Sequence, residues 1–283
     1  MPDGVLTPDA EARLAAAEGF VFDLDGTLAL GDSKGQGLRA LPGAQKLIAT
    51  LKQRGVPFVV FTNGTLRTPD ETALKLRNAG FDVPDGQAMT PSTVAAAYFA
   101  ERKISPVLVL GCEAVWKPLE EAGVEVLLPQ DYPGGAKAIY VGWYREFTME
   151  CLERAFFAME AGATLYTASN VPFFAAAGGK ALGTSFAICA MLKALTGKSA
   201  RVLGKPSAPA LKVASKMLGV SIPKMAIIGD DPRCEIRLAR YGEALAVGVT
   251  TGTATREGFE SQTGNYRADL VIDSLEDVLA LIG

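Results

Sequence analysis

In 283 residues the chain has no histidine. That absence removes catalysis by Ser-His-Asp and Cys-His pairs, zinc held by imidazole, and phosphohistidine chemistry. Cysteine is scarce: Cys112, Cys151, Cys189 and Cys234 lie far apart with no C-x-x-C spacing. Neither a metal knuckle nor a disulfide framework is expected, and reduced, mostly buried thiols are. Basic charge is not in excess, with 28 Lys and Arg against 31 Asp and Glu, so no nucleic-acid polymer and no anionic membrane surface is expected as a partner. A local positive pocket remains open. Long apolar runs are missing too, so nothing is expected to span a bilayer. The N-terminal "MPDGVLTPDAEARLAAAEG" carries acidic and proline residues where a signal peptide needs basic ones, and a cytoplasmic location is expected. Whatever chemistry the protein performs falls to carboxylates, lysine, hydroxyls and backbone amides.

What is present is an alternation of short β-branched runs with amphipathic helical ones: "GFVFDLD", "GAQKLIATLKQRG", "VPFVVFTN", "PDETALKLRNAG". This pattern predicts an α/β fold, a Rossmann-like doubly wound parallel sheet covered by helices. From about residue 86 to about residue 199 the alternation continues through "SPVLVLG", "AKAIYVG", "FTMECLERAFFAMEAG" and "GTSFAICAMLKALTG". A segment of that size is too large for a loop and is expected to be an α/β cap domain inserted into a core formed by residues 1–85 and 200–283.

Four predicted strand ends carry polar groups: Asp23 and Asp25 after "FVF", Thr62 and Asn63 after "FVVF", Lys205 in "VLGKPS", and Asp230 with Asp231 in "AIIGDD". In a parallel α/β sheet, ligands bind beyond the carboxyl ends of the strands. Several carboxylates packed together repel one another unless a cation joins them. An oxygen-only donor set suits a hard cation, Mg2+ first among them, and a lysine beside that cation implies a bound phosphate. Other readings of these runs fit worse. A calcium loop starting at Asp23 needs glycine where Leu28 stands and glutamate where Lys34 stands. A phosphate-binding loop in "AAAGGKALGTS" needs glycine at Phe174 and a hydroxyl residue at Ala181, so Gly178 and Gly179 are expected in a turn.

The ordered runs "FDLDGTL", "FTN", "GKP" and "GDDPRCE", with a long α/β insertion between the second and third, resemble the four motifs of the haloacid-dehalogenase-like phosphatases. The resemblance is to the large-cap subclass containing NagD-type and 4-nitrophenyl phosphatases, and "TPSTVAAAYF", "VGWYREFTMECLERA" and "GVTTG" extend it over most of the chain. It implies a Mg2+-dependent hydrolase of small phosphorylated metabolites in which Asp23 attacks phosphorus and becomes an aspartyl-phosphate, while Asp25 moves the protons. By the same resemblance Gly26 turns backbone amides toward the phosphoryl oxygens, Thr27 braces that turn, and Thr62 and Asn63 bind the transferring group. Lys205 neutralises its charge. Asp23, the backbone carbonyl of Asp25 and Asp230 hold Mg2+, with Asp231 and Glu235 behind them. Asn170 is carried over as a cap residue facing substrate, and a homodimer through the cap is implied.

Three departures stand out. Glu235 occupies a position more often aspartate, Trp143-Tyr144 replaces a common Leu-Asp pair, and Val171-Pro172 replaces a common Pro-Asp pair. Trp143, Tyr144, Phe173 and Phe174 are therefore either substrate wall or packing surface. An altered cap also leaves open a protein that binds a phosphorylated metabolite without turning it over.

Overall fold

A computed structural model describes residues 9–31, 37–176 and 179–283, with the side chains of 174–180 outside the description. The first elements are α1 (Asp9–Ala15), β1 (Gly19–Phe22), β2 (Ala29–Gly31), β3 (Leu38–Ala40), α2 (Ala44–Gln53), β4 (Phe58–Phe61), α3 (Pro69–Asn78) and β5 (Ala88–Met89). There follow α4 (Pro91–Arg102), β6 (Val107–Leu110), α5 (Glu113–Glu121), β7 (Val126–Leu127), β8 (Ala138–Val141), α6 (Met149–Glu160) and β9 (Thr164–Thr167). Next come β10 (Phe173–Ala176), β11 (Gly179–Leu182), α7 (Thr184–Thr196), β12 (Arg201–Val202), α8 (Ala208–Leu218) and β13 (Met225–Gly229). The chain ends with α9 (Arg237–Ala239), β14 (Leu245–Val249), α10 (Arg256–Glu260), β15 (Leu270–Ile272) and α11 (Leu275–Ile282). Two compact units result, one of residues up to Thr62 with Thr72–Met89 and Pro206–Gly283, the other of Asn63–Glu71 with Thr90–Lys205.

The first unit is built on a six-stranded sheet in the order β15-β14-β13-β1-β4-β5, parallel throughout. Its strands are apolar on both faces because helices cover both. Phe20, Phe22, Phe58, Val60, Ile228 and Val247 form one face, packed with Leu47, Ile48 and Leu51 of α2 and Leu275 and Val278 of α11. The alternate residues Val21, Val59, Phe61 and Ile227 are buried as well, and α8 lies along β1 and β4. The chain enters at β1, moves outward to β4 and β5, then returns to extend the other edge through β13, β14 and β15. The order thus reverses between β1 and β13, which is the switch point where such sheets leave a crevice.

The second unit repeats the principle with five parallel strands ordered β12-β9-β8-β6-β7. Leu108, Leu110, Ile139, Val141 and Leu165 pack against Leu152, Ala155 and Met159 of α6 and Ile188 and Leu192 of α7. On the other face Phe99 of α4 meets Tyr140 and Tyr166 edge-on, with ring centroids 6.1 and 5.1 Å apart. The strands β10 and β11 form a separate antiparallel pair. Gly179 opens β11, while Gly178 and the Phe174 side chain lie outside the described residues.

All four cysteines are free thiols, Cys151 and Cys189 buried, Cys112 and Cys234 half-buried. Burial pushes the Cys189 thiol up to about 11. Among the described residues no helix is long and apolar enough to cross a membrane.

The five-residue α10 is capped by Thr255, whose Oγ1 accepts from the Gly258 N–H at 3.1 Å, and its buried anchor is Phe259. Phe259→Ala should lower the unfolding free energy by about 3 to 5 kcal/mol, as expected for truncating a buried aromatic side chain. Urea unfolding followed by circular dichroism measures it.

Candidate active site

At the switch point of the first unit, Phe22 stands opposite Ile228, and the Asp23 N–H donates to the Ile228 carbonyl at 2.9 Å. Asp23 directly follows β1 and Asp230 directly follows β13. Paired strands lie about 4.8 Å apart, so the two carboxylates leave one sheet edge from neighbouring points. Both are buried, Asp23 at 9% exposure and Asp230 at 4%.

The Asp25 turn follows from local bonding. Leu28 and Ala29 N–H both donate to the Leu24 carbonyl at 3.0 Å, and the Gly26 N–H donates to the Ala29 carbonyl at 2.9 Å. Gly26 has φ +88°, a region that a side chain makes costly, and a Cβ there would lie 2.9 Å from Asp230 Cγ. Asp25 itself is exposed at the turn. Thr27 is buried with no hydrogen-bond partner for its Oγ1, so it supports the turn by packing and not through its hydroxyl. Thr62, just past β4, is buried, and its N–H donates to the Met89 carbonyl at 3.1 Å.

Asp230 and Asp231 do different things. Asp231 caps the following helical turn, its Oδ1 accepting from the Arg233 N–H at 2.8 Å. Asp230 Oδ2 instead accepts from the Thr253 N–H at 2.6 Å. Glu235 is 2% exposed and returns its Oε2 to the Asp231 N–H at 3.2 Å. Its extra length is housed in two ways. Residues Pro232–Ile236 form a π-helical turn, wider than an α-turn. Gly229 also leaves room, since a Cβ there would stand 2.5 Å from both Cβ and Cδ of Glu235.

The second unit holds Asn63, Lys205 and Asn170. Lys205 is 2% exposed, so it is not a solvated lysine ahead of α8. The Asn63 side chain clamps it through the backbone: Oδ1 accepts from the Lys205 N–H and Nδ2 donates to the Lys205 carbonyl, each at 2.8 Å. Asn170 is exposed, in a loop where the Ser169 carbonyl accepts from Thr167 Oγ1 and Ser185 Oγ. Tyr144 packs with Phe147 against the core of this unit, and burial pushes its hydroxyl up to about 12. Trp143 is half-buried with the Arg145 guanidinium 5.4 Å from its ring centroid. Phe173 is 53% exposed.

The donor set of the first unit fits a hard cation. Two buried carboxylates and nearby carbonyls supply only oxygen, and the remaining positions of such an ion are filled by water or substrate oxygen. Among the described residues no group of three or more His, Cys, Asp or Glu side chains gathers as a metal cluster, which is compatible with a site of two carboxylates and a carbonyl.

Three residues of the site were not visible as such from the sequence. Thr251 Oγ1 donates to the Gly26 carbonyl at 2.7 Å, Gly252 lies against Asp230, and Thr253 donates to it. The signal was the run "GVTTG" after a predicted strand, which ends on Thr251 and Gly252 and extends the resemblance without assigning either a role.

Residues 20–125 match a family model described as haloacid dehalogenase-like hydrolase, and residues 202–278 match a second, HAD-hydrolase-like model. The chain is similar to the 5'-nucleotidase YutF of Bacillus subtilis (strain 168), with 29% identity over 85% of this chain and 90% of that protein. It is similar in structure to a 4-nitrophenylphosphatase from Thermotoga maritima, with a TM-score of 0.85 and 26% identity over 96% of this chain and 99% of that one. The glycerol phosphate phosphatase Rv1692 from Mycobacterium tuberculosis, solved in complex with magnesium, shares the fold at a TM-score of 0.81 and 23% identity, over 94% of this chain and 77% of that one.

The Glu235 arrangement makes a graded prediction. Glu235→Ala leaves the Asp231 N–H without this acceptor and should cost about 1 to 3 kcal/mol, whereas Glu235→Gln keeps an acceptor oxygen and should cost less than about 1 kcal/mol. Equal losses in chemical denaturation would show that the bond to Asp231 is not what Glu235 contributes.

Proposed function

The chain belongs to the haloacid-dehalogenase-like hydrolases, and on that premise we propose that it is a Mg2+-dependent phosphatase releasing inorganic phosphate from small phosphate monoesters. Its phosphatase class follows from the company it keeps. The observation that carries the finer reading is the pair Asp23 and Asp230, buried at the ends of adjacent parallel strands where the strand order reverses. Two desolvated carboxylates side by side are unfavourable without a cation, and a phosphatase uses one.

In this reading an Asp23 carboxylate oxygen attacks phosphorus in line, and the bond from phosphorus to the ester oxygen breaks. The leaving alkoxide takes its proton from Asp25, whose exposed position suits a group that must meet a leaving alcohol. Water then attacks the aspartyl-phosphate, Asp25 takes the proton of that water, and phosphate departs with the Asp23 carboxylate regenerated. Asp23, the Asp25 carbonyl and Asp230 would hold Mg2+, which when bound offsets the charge of the phosphoryl oxygens. Thr62 and the backbone N–H of Asn63 bind those oxygens. Lys205 supplies a compact positive charge, and the Asn63 side chain fixes its backbone. Asn170 is proposed to meet the substrate from the cap.

Two of the similar proteins are named for a nucleotide and an aryl ester. Such varied leaving groups support a shared phosphoryl chemistry and do not choose the substrate of this chain.

The test is phosphate release from 4-nitrophenyl phosphate and from a panel of phosphorylated metabolites, with Mg2+ and with a chelator. Release should require Mg2+, and Asp23→Asn should lower kcat by about 1000-fold or more while leaving the melting temperature near that of the parent. Near-parental turnover by Asp23→Asn would remove Asp23 as nucleophile. Saturable stabilisation by a phosphorylated metabolite without any turnover would instead identify a binding protein.

A further inference from the structure

The loop between β14 and α10 is tied down at both ends. At its start the Thr250 N–H donates to the Ile272 carbonyl at 3.1 Å. At its end the Arg256 guanidinium donates to Asp273 Oδ1 at 2.6 Å and to the Val271 carbonyl at 3.3 Å. Between these anchors, the four consecutive residues 251–254 turn inward. Thr251 Oγ1 donates to the Gly26 carbonyl at 2.7 Å. The Thr253 N–H donates to Asp230 Oδ2 at 2.6 Å, and the Ala254 N–H donates to the Asp230 carbonyl at 3.2 Å. Gly252 sits between them against the carboxylate. A Cβ on Gly252 would stand 2.6 Å from Asp230 Cγ and 2.7 Å from Asp230 Cβ, and a Cβ on Gly26 would stand 3.0 Å from Gly252 Cα. The Asp230 carboxylate therefore occupies a slot walled by two glycine backbones.

We propose that Thr251, Gly252 and Thr253 are positioning residues for the phosphatase reaction, joining the turn that carries Asp25 to the carboxylate of Asp230. The proposal rests on the phosphatase reading above. With Oδ2 held by Thr253, the other oxygen, Oδ1, is the one assigned to the cation. Thr251 holds the carbonyl of Gly26, one residue beyond Asp25, and so sets the angle of the turn on which the acid stands. Neither threonine touches substrate. Thr253 acts by holding the carboxylate assigned to the cation and Thr251 by holding the turn that carries the acid, as residues behind a metal site commonly act.

Thr251→Val replaces the hydroxyl with a methyl group of similar size. Its kcat should fall about tenfold or more with KM within about twofold, since a small displacement of a catalytic group costs turnover and not ground-state binding. Thr251→Ser, which keeps the hydroxyl, should restore kcat. Gly252→Ala should weaken Mg2+ binding about tenfold or more, read by isothermal titration calorimetry without substrate, with Asp230→Asn as the reference for a lost ligand. Circular dichroism melts identify a variant that fails to fold, and the Thr251 pair keeps the test standing without Gly252→Ala. Parental kcat in a folded Thr251→Val, or parental Mg2+ affinity in a folded Gly252→Ala, overturns the proposal. If the parent binds Mg2+ but cleaves no ester, the phosphatase reading falls and calorimetry alone decides the positioning role: weaker binding in Gly252→Ala supports it, and equal binding overturns it. A parent that binds no Mg2+ overturns both.

Discussion

The parallel pairing of β1 with β13 is the constraint on which the site depends. Because Phe22 lies opposite Ile228, Asp23 falls opposite Gly229, the last residue of β13, and Asp230 follows one residue on. A one-residue slip would exchange the two faces of the strand, putting Gly19 and Val21 where Phe20 and Phe22 fill the core against α2 and α11. The hydrophobic core of the first unit thus fixes the spacing of two carboxylates that take no part in that core. Donors are turned inward, as at Thr253. Glycines stand where a side chain would push a carboxylate aside.

The second unit uses backbone bonding to the same end. Lys205 is buried and long, and a buried lysine is costly unless its charge is paired or hydrogen-bonded, so the position of its backbone matters. Asn63 determines it by giving its side-chain oxygen to one backbone group of Lys205 and its nitrogen to another. An asparagine side chain that pairs with a backbone N–H and C=O together is fully oriented, because only one of its two flips satisfies both.

Much of this was legible in the sequence. The alternation of apolar runs with amphipathic helices gives two parallel sheets because a strand buried on both faces must read as a continuous apolar run, and "FVF", "FVVF" and "MAIIG" do. The candidate residues Asp23, Thr62 and Asp230 were legible because polar residues ending such runs can only lie at the sheet edge. Short elements were not. The antiparallel pair β2–β3 and the two-residue strand β12 owe their form to neighbours remote in sequence, and too few residues carry a pattern. The inclusion of Asn63–Glu71 with Thr90–Lys205 in one unit likewise has no local signature. Tyr144 could be assigned to core packing only once Phe147 was seen against it.

Glu235 illustrates why a departure from a motif does not by itself mean a changed site. Read along the chain, a glutamate in place of aspartate adds one methylene and should move its carboxylate outward. In the folded chain, the π-helical turn Pro232–Ile236 widens the backbone path, and Gly229 withholds the Cβ that would meet the longer side chain. The carboxylate then falls within bonding distance of the Asp231 N–H. Three local features, the longer acid, the wider turn and the bare glycine, fit together: a Cβ at residue 229 would stand 2.5 Å from Cβ and Cδ of Glu235. The backbone beneath an acidic residue of such a motif therefore takes part in setting its identity.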